Sequence, residues 1–452
     1  MSVAESLSRR ERRSRGRANR DRCSLDSLAQ LDTDGRSPLS LLAAQEQLRL
    51  PDLLPLRAQR MGANPFAFYR GTAAIMAADL ARCPSSGIRV ASCGDAHVAN
   101  FGFYASQQRS LAFDLNDFDE SAWAPWEWDL KRLVTSVLIA GRATGRADRV
   151  AEAAGRTVIT TYLNVLKEAS KRSPLDRYFT HFIAQDFVQG VDQESRSVLE
   201  AAIADARKRT SKRAARKLTQ VDDGGKAHFV VQPPAMAAIS HEDTARIGEF
   251  LDQYLRSASV DIRFLMREYV LRDVVRRAVG VGSVGTRCYL ALFEDGDGNK
   301  LILQTKEAGR SVLEEHGGFE QPIELVEEIS THGEGARVVG LQRILQAVSD
   351  PFLGHVVRNV GQHPMERDFY VRQFHDMKGS IDIETLDDGP FARYAAACGA
   401  VLARAHSQSQ NLSDVVGYAG KGGKLTKAIM AWCAAYADLS HADYLEFVGS
   451  RA

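Results

Sequence analysis

Apolar residues in WDLKRLVTSVLIAGRATG recur at Leu130, Leu133, Val134, Val137 and Leu138, the three-and-four spacing of one helix face, and DRVAEAAGRTVITTYLNVL continues that character. From 128 to about 270 the pattern predicts mostly helix. Near residue 272 the period changes. RCYLALFE alternates faces, DGDGN supplies turn residues and KLILQTKEA is a second extended apolar run, so 286–308 predicts a β-hairpin. Helix follows around VLEE or RVVGLQRILQAV, then a strand in RDFYVRQFHD and a long helix in FARYAAACGAVLARAHSQ. Upstream, GIRVAS is a short strand, and SLAFDLNDFDE carries a second one in which Leu111, Phe113 and Leu115 alternate. No internal repeat or low-complexity linker interrupts the order.

Composition narrows the class. A chain of 452 residues, 44% apolar, is too long for one small core and predicts two lobes. With 58 basic against 57 acidic residues the formal charge is +1, so no global field recruits nucleic acid or an anionic membrane. Basic features are local. Eight arginines among residues 1–22 predict an Arg-rich mobile arm over 1–40, a solvated tail whose charge would also suit nucleic acid. DARKRTSKRAARKL, 205–218, reads as a solvent-facing helix. Six scattered cysteines without a C-x-x-C pair suit reduced thiols, and no apolar run is long enough to span a bilayer. The expectation is a cytoplasmic protein with no membrane partner.

The candidate chemistry begins at CGDAHVANFG. Asp95 and Asn100 stand five positions apart, the spacing in a kinase catalytic loop of the aspartate that orients and deprotonates a hydroxyl and the asparagine that holds magnesium. The next strand ends in Asp117-Phe118-Asp119, where a carboxylate is well placed to hold magnesium against phosphate oxygens. Asp95, Asn100 and Asp117 form a candidate base-and-metal triad, with the metal position open among Asp114, Asp117 and Asp119 and Asp114 expected to point away. His97 reads as a brace of the loop.

A second constellation lies downstream. Gly280, Gly282 and Gly285 have G-x-G-x-x-G spacing, with Ser283 between them, and they run into a strand where a dinucleotide fingerprint would run into a helix. A glycine-rich loop over ATP phosphates has that arrangement. The following strand carries Lys306, a cation in an apolar run that needs phosphate or carboxylate partners. Glu314 is the first expected carboxylate partner and Glu327 the second.

The segments NPFAFYRG, CGDAHVANFG, FDLNDFDES, PWEWDLKRL, VGVGSVGTRCYLAL, TKEAGRSVLE, FYVRQFHDMKG and LARAHSQS together resemble the bacterial domain-of-unknown-function family 2252, over about residues 40–445. More distantly, GDAHVANFG, NDFDE and PWEWDL resemble the signatures of aminoglycoside-phosphotransferase-like kinases. That resemblance implies Asp95 as catalytic base, Asn100 and Asp117 as metal ligands, and Asp129 as a structural aspartate. Cys93 stands where the signature has histidine. The order also departs, because the glycine loop and Lys306 follow the catalytic loop instead of preceding it.

Joined end to start, the parts read continuously, as a circular permutation would leave them. The expectation is an α+β, two-lobed, protein-kinase-like fold: a catalytic-loop and helical lobe over 41–270, a nucleotide-binding small lobe over 271–380, and C-terminal helices over 381–452 returning to the helical lobe. The expected function is ATP- and magnesium-dependent phosphotransfer to an unknown hydroxyl acceptor. A non-catalytic kinase-like module is the first alternative. A metal-dependent phosphoesterase, suggested by GDAH, is the second, but its downstream G-D-x-x-D and G-N-H elements are missing.

Overall fold

The arginine-rich N-terminal stretch is a docked helix. In this computed structural model, which describes residues 7–184, 191–357, 367–374 and 376–451, helix α1 runs Arg9–Ala18 behind a capping box formed by Ser8 and Glu11. Arginines of this helix and just after it bond other parts of the chain. Arg15 forks onto Asp414 at 2.6 and 2.8 Å, and Arg20 donates to the carbonyls of Tyr418 (2.8 Å) and Gly417 (3.1 Å). Gly16 sits so close to Asp414 that a Cβ there would lie 2.0 Å from its carbonyl oxygen. The expected mobile arm is thus corrected over its described part, because carboxylate and carbonyl acceptors elsewhere in the chain neutralise and order it.

The remaining helices that matter here are α2 (Trp126–Ala143), α3 (Asp148–Ala169), α4 (His241–Ser257), α5 (Ile323–Leu345), α6 (Asp388–His406), α7 (Leu412–Ala419) and α8 (Gly423–Gly449). Helix α2 carries Glu127 and Asp129 in its first turn, where negative charge suits the helix dipole, and every residue from Trp126 to Gly141 is buried. It is the axis of a large lobe that packs α3, α6, α7 and α8 into one hydrophobic core. Arg36 ties the chain's two ends together, reaching Asp79 at 2.8 Å and Asp443 at 2.6 Å.

Two short antiparallel pairs lie in the large lobe. Strand β1 (Arg89–Ser92) pairs with β4 (Ala122–Pro125), and β2 (Phe101–Ala105) pairs with β3 (Leu111–Leu115). The small lobe holds the hairpin β5 (Thr219–Val221) and β6 (Ala227–Phe229), and a sheet of β7 (Met236–Ala238), β8 (Val270–Arg277), β9 (Cys288–Glu294), β10 (Lys300–Ala308), β11 (Gly354–Val356) and β12 (Asp368–Gln373). Its order is β11-β12-β10-β9-β8-β7, antiparallel throughout. The expected hairpin over 286–308 is β9 and β10, turned at Asp295–Asn299. His375, in the expected strand segment RDFYVRQFHD, lies outside the described residues.

Alternation gives the sheet two faces. Tyr289, Phe293, Leu303 and Val371 face α4, whereas Leu290, Leu292 and Ile302 pack with the hairpin's Phe229 on the other side. The small lobe therefore starts well before residue 271. Strand β7 belongs to its sheet and hairpin β5–β6 and α4 pack on it, and helical period alone could not say which lobe α4 would cover. The architecture is α+β. Among the described residues no helix is long and apolar enough to cross a membrane.

Candidate functional site

Gly94 explains the start of the Asp95 loop. Its φ is +83°, and a Cβ would lie 2.0 Å from the Glu120 carbonyl oxygen, so only glycine fits the turn out of β1. Asp129 on α2 holds that turn by accepting the amides of Cys93 (2.7 Å) and Gly94 (3.0 Å). His406 on α6 donates to Asp129 through Nε2 at 3.1 Å, and its Nδ1 is hydrogen-bonded with the Tyr162 hydroxyl at 2.7 Å. Asp129 thus ties the start of the Asp95 loop to α2.

One helical turn from Asp129, Arg132 projects to the Asp95 carboxylate, with Nε at 2.9 Å and Nη2 at 2.8 Å. Its guanidinium also bonds the Tyr69 carbonyl at 2.8 Å and lies over the Tyr69 ring at 3.9 Å. Burial pushes the Asp95 carboxyl up from its ordinary value while Arg132 opposes that shift. His97 is buried with Nε2 3.7 Å from Asp95, and burial together with Arg70 and Arg132 drives its pKa well down. Its Nδ1 is buried without a hydrogen-bond partner and its Nε2 is too far from Asp95 for a hydrogen bond, so the expected brace is not made by its ring. Asn100 donates from Nδ2 to the Asp95 carbonyl at 2.9 Å, closing the loop.

Lys306 arrives from the other lobe. On β10, register pairs it with Cys288 and Tyr370, and its ammonium points into the cleft, 3.3 Å from Asp117 and in direct contact with Asp119. The Tyr370 hydroxyl donates to the other oxygen of Asp119 at 2.5 Å. Burial would lower the Lys306 pKa, but the two carboxylates hold it well above the ordinary value. Against its own burial, Asp117 is held far below the usual carboxylate range by Lys306, Arg372 and Lys378. Asp119 is pushed up by burial and by Asp117.

The expected partners Glu314 and Glu327 do not meet Lys306. Glu314 takes Arg310 at 3.0 Å, and Glu327 uses its carbonyl to accept Ser330 and Thr331. Lys306 instead finds its carboxylates on the Asp117–Asp119 segment, which Arg337 on α5 fixes by donating to the carbonyls of Asp119 and Gly309 at 2.9 and 2.8 Å. Asp114 points away, as expected, and accepts the Ala347 amide at 2.7 Å.

The glycine segment lies between β8 and β9. Gly280 and Gly285 adopt φ of +66° and +94°, and the segment is strapped down by Arg60 on the Gly280 carbonyl (2.7 Å) and Arg49 on the Val284 carbonyl (2.6 Å). Beneath it a cleft of about 560 Å³ is lined by Gly280, Ser283, Lys306, Asp117 and Asn100, and by cations including Arg70, Arg372 and Lys378. A second recess of about 610 Å³ shares Arg70, Asp117 and Ser283 with it and adds Gly282, Asp95, Asp119 and Glu120. Glu314 lines neither. Arg70, Arg132, Arg372 and Lys378 were not singled out from sequence, and Asp119 was considered only as a metal position, not as a partner of Lys306; a charged pair embedded in the apolar helix pattern at Lys131-Arg132 was the signal for one of them.

Among the described residues, no three His, Cys, Asp or Glu side chains gather as a metal cage. Magnesium rarely needs one, since it takes one or two carboxylates plus phosphates and water. Asp117, a third exposed at 32%, with Asn100 beside it fits that partial donor set.

These parts define an α+β protein with a cation-lined interlobe cleft, a buried lysine–dicarboxylate cluster and a carboxylate loop at its edge. The chain belongs to a bacterial family, described as "Uncharacterized protein conserved in bacteria (DUF2252)", whose model matches residues 49–450. No curated protein and no solved structure matches it.

Proposed function

We propose that the chain is an ATP- and magnesium-dependent phosphotransferase of kinase-like type, permuted so that the nucleotide-binding half follows the catalytic loop. The observation that carries this reading is the meeting of Lys306 with Asp117 and Asp119 under the glycine segment, across 189 and 187 positions of sequence. Three further features support it. The glycine segment joins two antiparallel strands, the lysine sits on the next strand and helix follows, the order in a kinase nucleotide lobe. The cleft offers an anion several cations at once. Residues 36 and 443 are bonded neighbours, the proximity of chain ends that permutation requires.

In this reading the cation-lined cleft takes the nucleotide, and the recess beyond Asp117 takes the acceptor. Lys306 and Arg372 bind phosphate oxygens, Ser283 and the neighbouring backbone cover them, and Asp117 with the Asn100 amide oxygen would hold magnesium. When bound, magnesium would neutralise charge on the transferring group. Asp95, anchored on one side by Arg132, accepts the proton of the acceptor hydroxyl and aims its oxygen. His97, whose pKa burial and the neighbouring Arg70 and Arg132 lower, packs beside Asp95 and is given no part in moving that proton.

The test is incubation of the purified protein with magnesium and α- or γ-labelled ATP, following label into protein or a metabolite extract. Transfer of γ label, lost in Asp95→Asn, is the expected result. Transfer of α label instead would mean that AMP is the group moved. Failure to transfer either label, together with failure to retain nucleotide, overturns the assignment.

A further inference from the structure

Of the arginines and lysines on the walls of the cleft and the recess, Arg70 lines both, beside Asn100 and Lys306 in the one and beside Asp95 and Asp119 in the other. Among the described residues it makes no hydrogen bond or ion pair, and its Nε is buried without a partner. Neighbouring arginines differ. Arg132 forks onto Asp95, and Arg372 donates to Gln304 at 3.0 Å and to the Asn116 carbonyl at 3.2 Å. A half-buried guanidinium left unbonded is costly, because only acceptors repay the desolvation of its N–H groups. Asp95 and Asp117 are the carboxylates whose charge reaches it, and they oppose the fall that burial causes in its pKa.

The backbone at Arg70 is held on two sides while the side chain is unbonded. Arg70 ends the helix Pro65–Arg70, which Asn64 caps by accepting the Ala67 amide at 2.8 Å. The preceding carbonyl, on Tyr69, takes Arg132 at 2.8 Å, and that same guanidinium holds Asp95. Arg70's own carbonyl lies against the glycine segment, where a Cβ on Gly282 would stand 3.0 Å from it. Glycine at 282 lets the segment settle on this backbone. Arg70 is therefore fixed between the Asp95 loop and the glycine segment, with its head at the junction of cleft and recess.

We infer that Arg70 is a catalytic residue whose guanidinium contacts the phosphoryl group in transit from the cleft to the recess. The inference rests on the phosphotransfer reading. In that reaction the acceptor oxygen bonds the γ-phosphorus while the bond from that phosphorus to the β–γ bridging oxygen breaks. The hydroxyl proton passes to Asp95, and ADP leaves with the electron pair. Charge then spreads over the equatorial oxygens between the two cavities. Lys306 lines the cleft but not the recess, whereas Arg70 reaches both. Its planar fork suits two of those oxygens at once, a pairing that an ammonium does not reproduce.

The experiment uses the full chain and follows γ label from magnesium-ATP into a metabolite extract. Arg70→Met should lower the rate at saturating ATP by about 10³-fold, the low end for an arginine on a transferring phosphoryl group, with the KM for ATP within a factor of two. Guanidinium ion, well below denaturing concentration, should raise the rate of Arg70→Ala at least tenfold and leave the wild-type rate unmoved. A role in folding alone would not respond in that way. A wild-type rate in Arg70→Met overturns the inference and leaves phosphotransfer standing. So does a raised KM with the saturated rate unchanged, and so does a rate in Arg70→Ala that guanidinium does not raise. Absence of both transfer and nucleotide retention in the wild-type protein overturns phosphotransfer and this inference together. Transfer of α label alone overturns the inference, because a different phosphorus is then in transit. Should Met and Ala at this position prevent folding, Arg70→Lys decides: the saturated rate should fall tenfold or more, and an unchanged rate overturns the contact.

Discussion

Lys306 Nζ stands 3.3 Å from a carboxylate oxygen of Asp117, and between them they join the two halves of the molecule's candidate chemistry. One ammonium here faces two carboxylates, Asp117 and Asp119, and Arg372 and Lys378 also act on Asp117, so acidic and basic groups meet at one place. The same ammonium closes the cleft floor beneath the glycine segment. Phosphate and metal would enter this ion cluster together, each compensating a charge the other disturbs.

That reciprocity makes nucleotide binding metal-dependent. Saturating magnesium-ATP at 100 times its dissociation constant should raise native stability by about 2.7 kcal/mol, read as a rise in melting temperature. Asp117→Ala should remove the magnesium-dependent part of the rise. Lys306→Ala should weaken nucleotide binding with or without the metal. An unmoved melting curve for the wild-type protein counts against ATP as ligand.

Asp95→Asn keeps the shape of the loop and most of its hydrogen bonds while removing the proton acceptor. Nucleotide affinity should stay within a factor of a few, and transfer should fall by about 10²-fold or more, the usual contribution of a positioned acid or base. Turnover near wild type would exclude Asp95 as the base.

Arg132 is a positioning residue for that carboxylate. Arg132→Met leaves Asp95 buried without its counter-charge and breaks the bond to the Tyr69 carbonyl, so the melting curve should show a loss of about 3–5 kcal/mol. Combining it with Asp95→Asn should recover part of that loss, because the uncompensated charge is then gone. A double variant no more stable than Arg132→Met alone would show that the two side chains do not depend on each other.

The sequence made some of this legible and hid the rest for physical reasons. The β9–β10 hairpin was readable because a period of two and the DGDGN turn are local properties. Lys306 stood out because a cation in an apolar strand needs a partner, yet which partner depended on a pairing between lobes that no local pattern encodes. Glu314 is close in sequence, but it faces Arg310. Arg132 was hidden by being read as part of a helix pattern, since periodicity treats a buried cation and a solvated one alike. The N-terminal arginines misled for the same reason: a solvated tail and a docked helix have one composition, and only Asp414 and the α7 carbonyls tell them apart.

The docking of α1 gives a separate test. Gly16→Val would drive a side chain into the Asp414 backbone, so α1 should detach. Limited proteolysis near residue 20, slow in the wild-type protein, should become fast, and Arg15→Ala should produce a smaller change in the same direction. Equal cleavage rates in all three proteins would mean that the arginine-rich segment is not held in solution.

Glu120 supplies the pH dependence. Burial raises its folded pKa from the ordinary 4.5 to about 7, against the lowering effects of the Val312 amide and Arg337. Between those values the folded chain keeps a proton that the unfolded chain has released. Its contribution to stability is therefore fully present below pH 4.5 and is lost as pH rises through about 7, with an upper bound of about 3 kcal/mol. Asp117, whose folded pKa is depressed, contributes in the opposite sense, at lower pH. The wild-type curve mixes the two, so the informative quantity is the difference between wild type and Glu120→Gln, which cannot titrate. That difference should move against the wild type from pH 4.5 to 7 and stay level above it. A difference constant across the whole range would mean that Glu120 is ionised in the fold, and that the recess beside Asp95 is better hydrated than its burial implies.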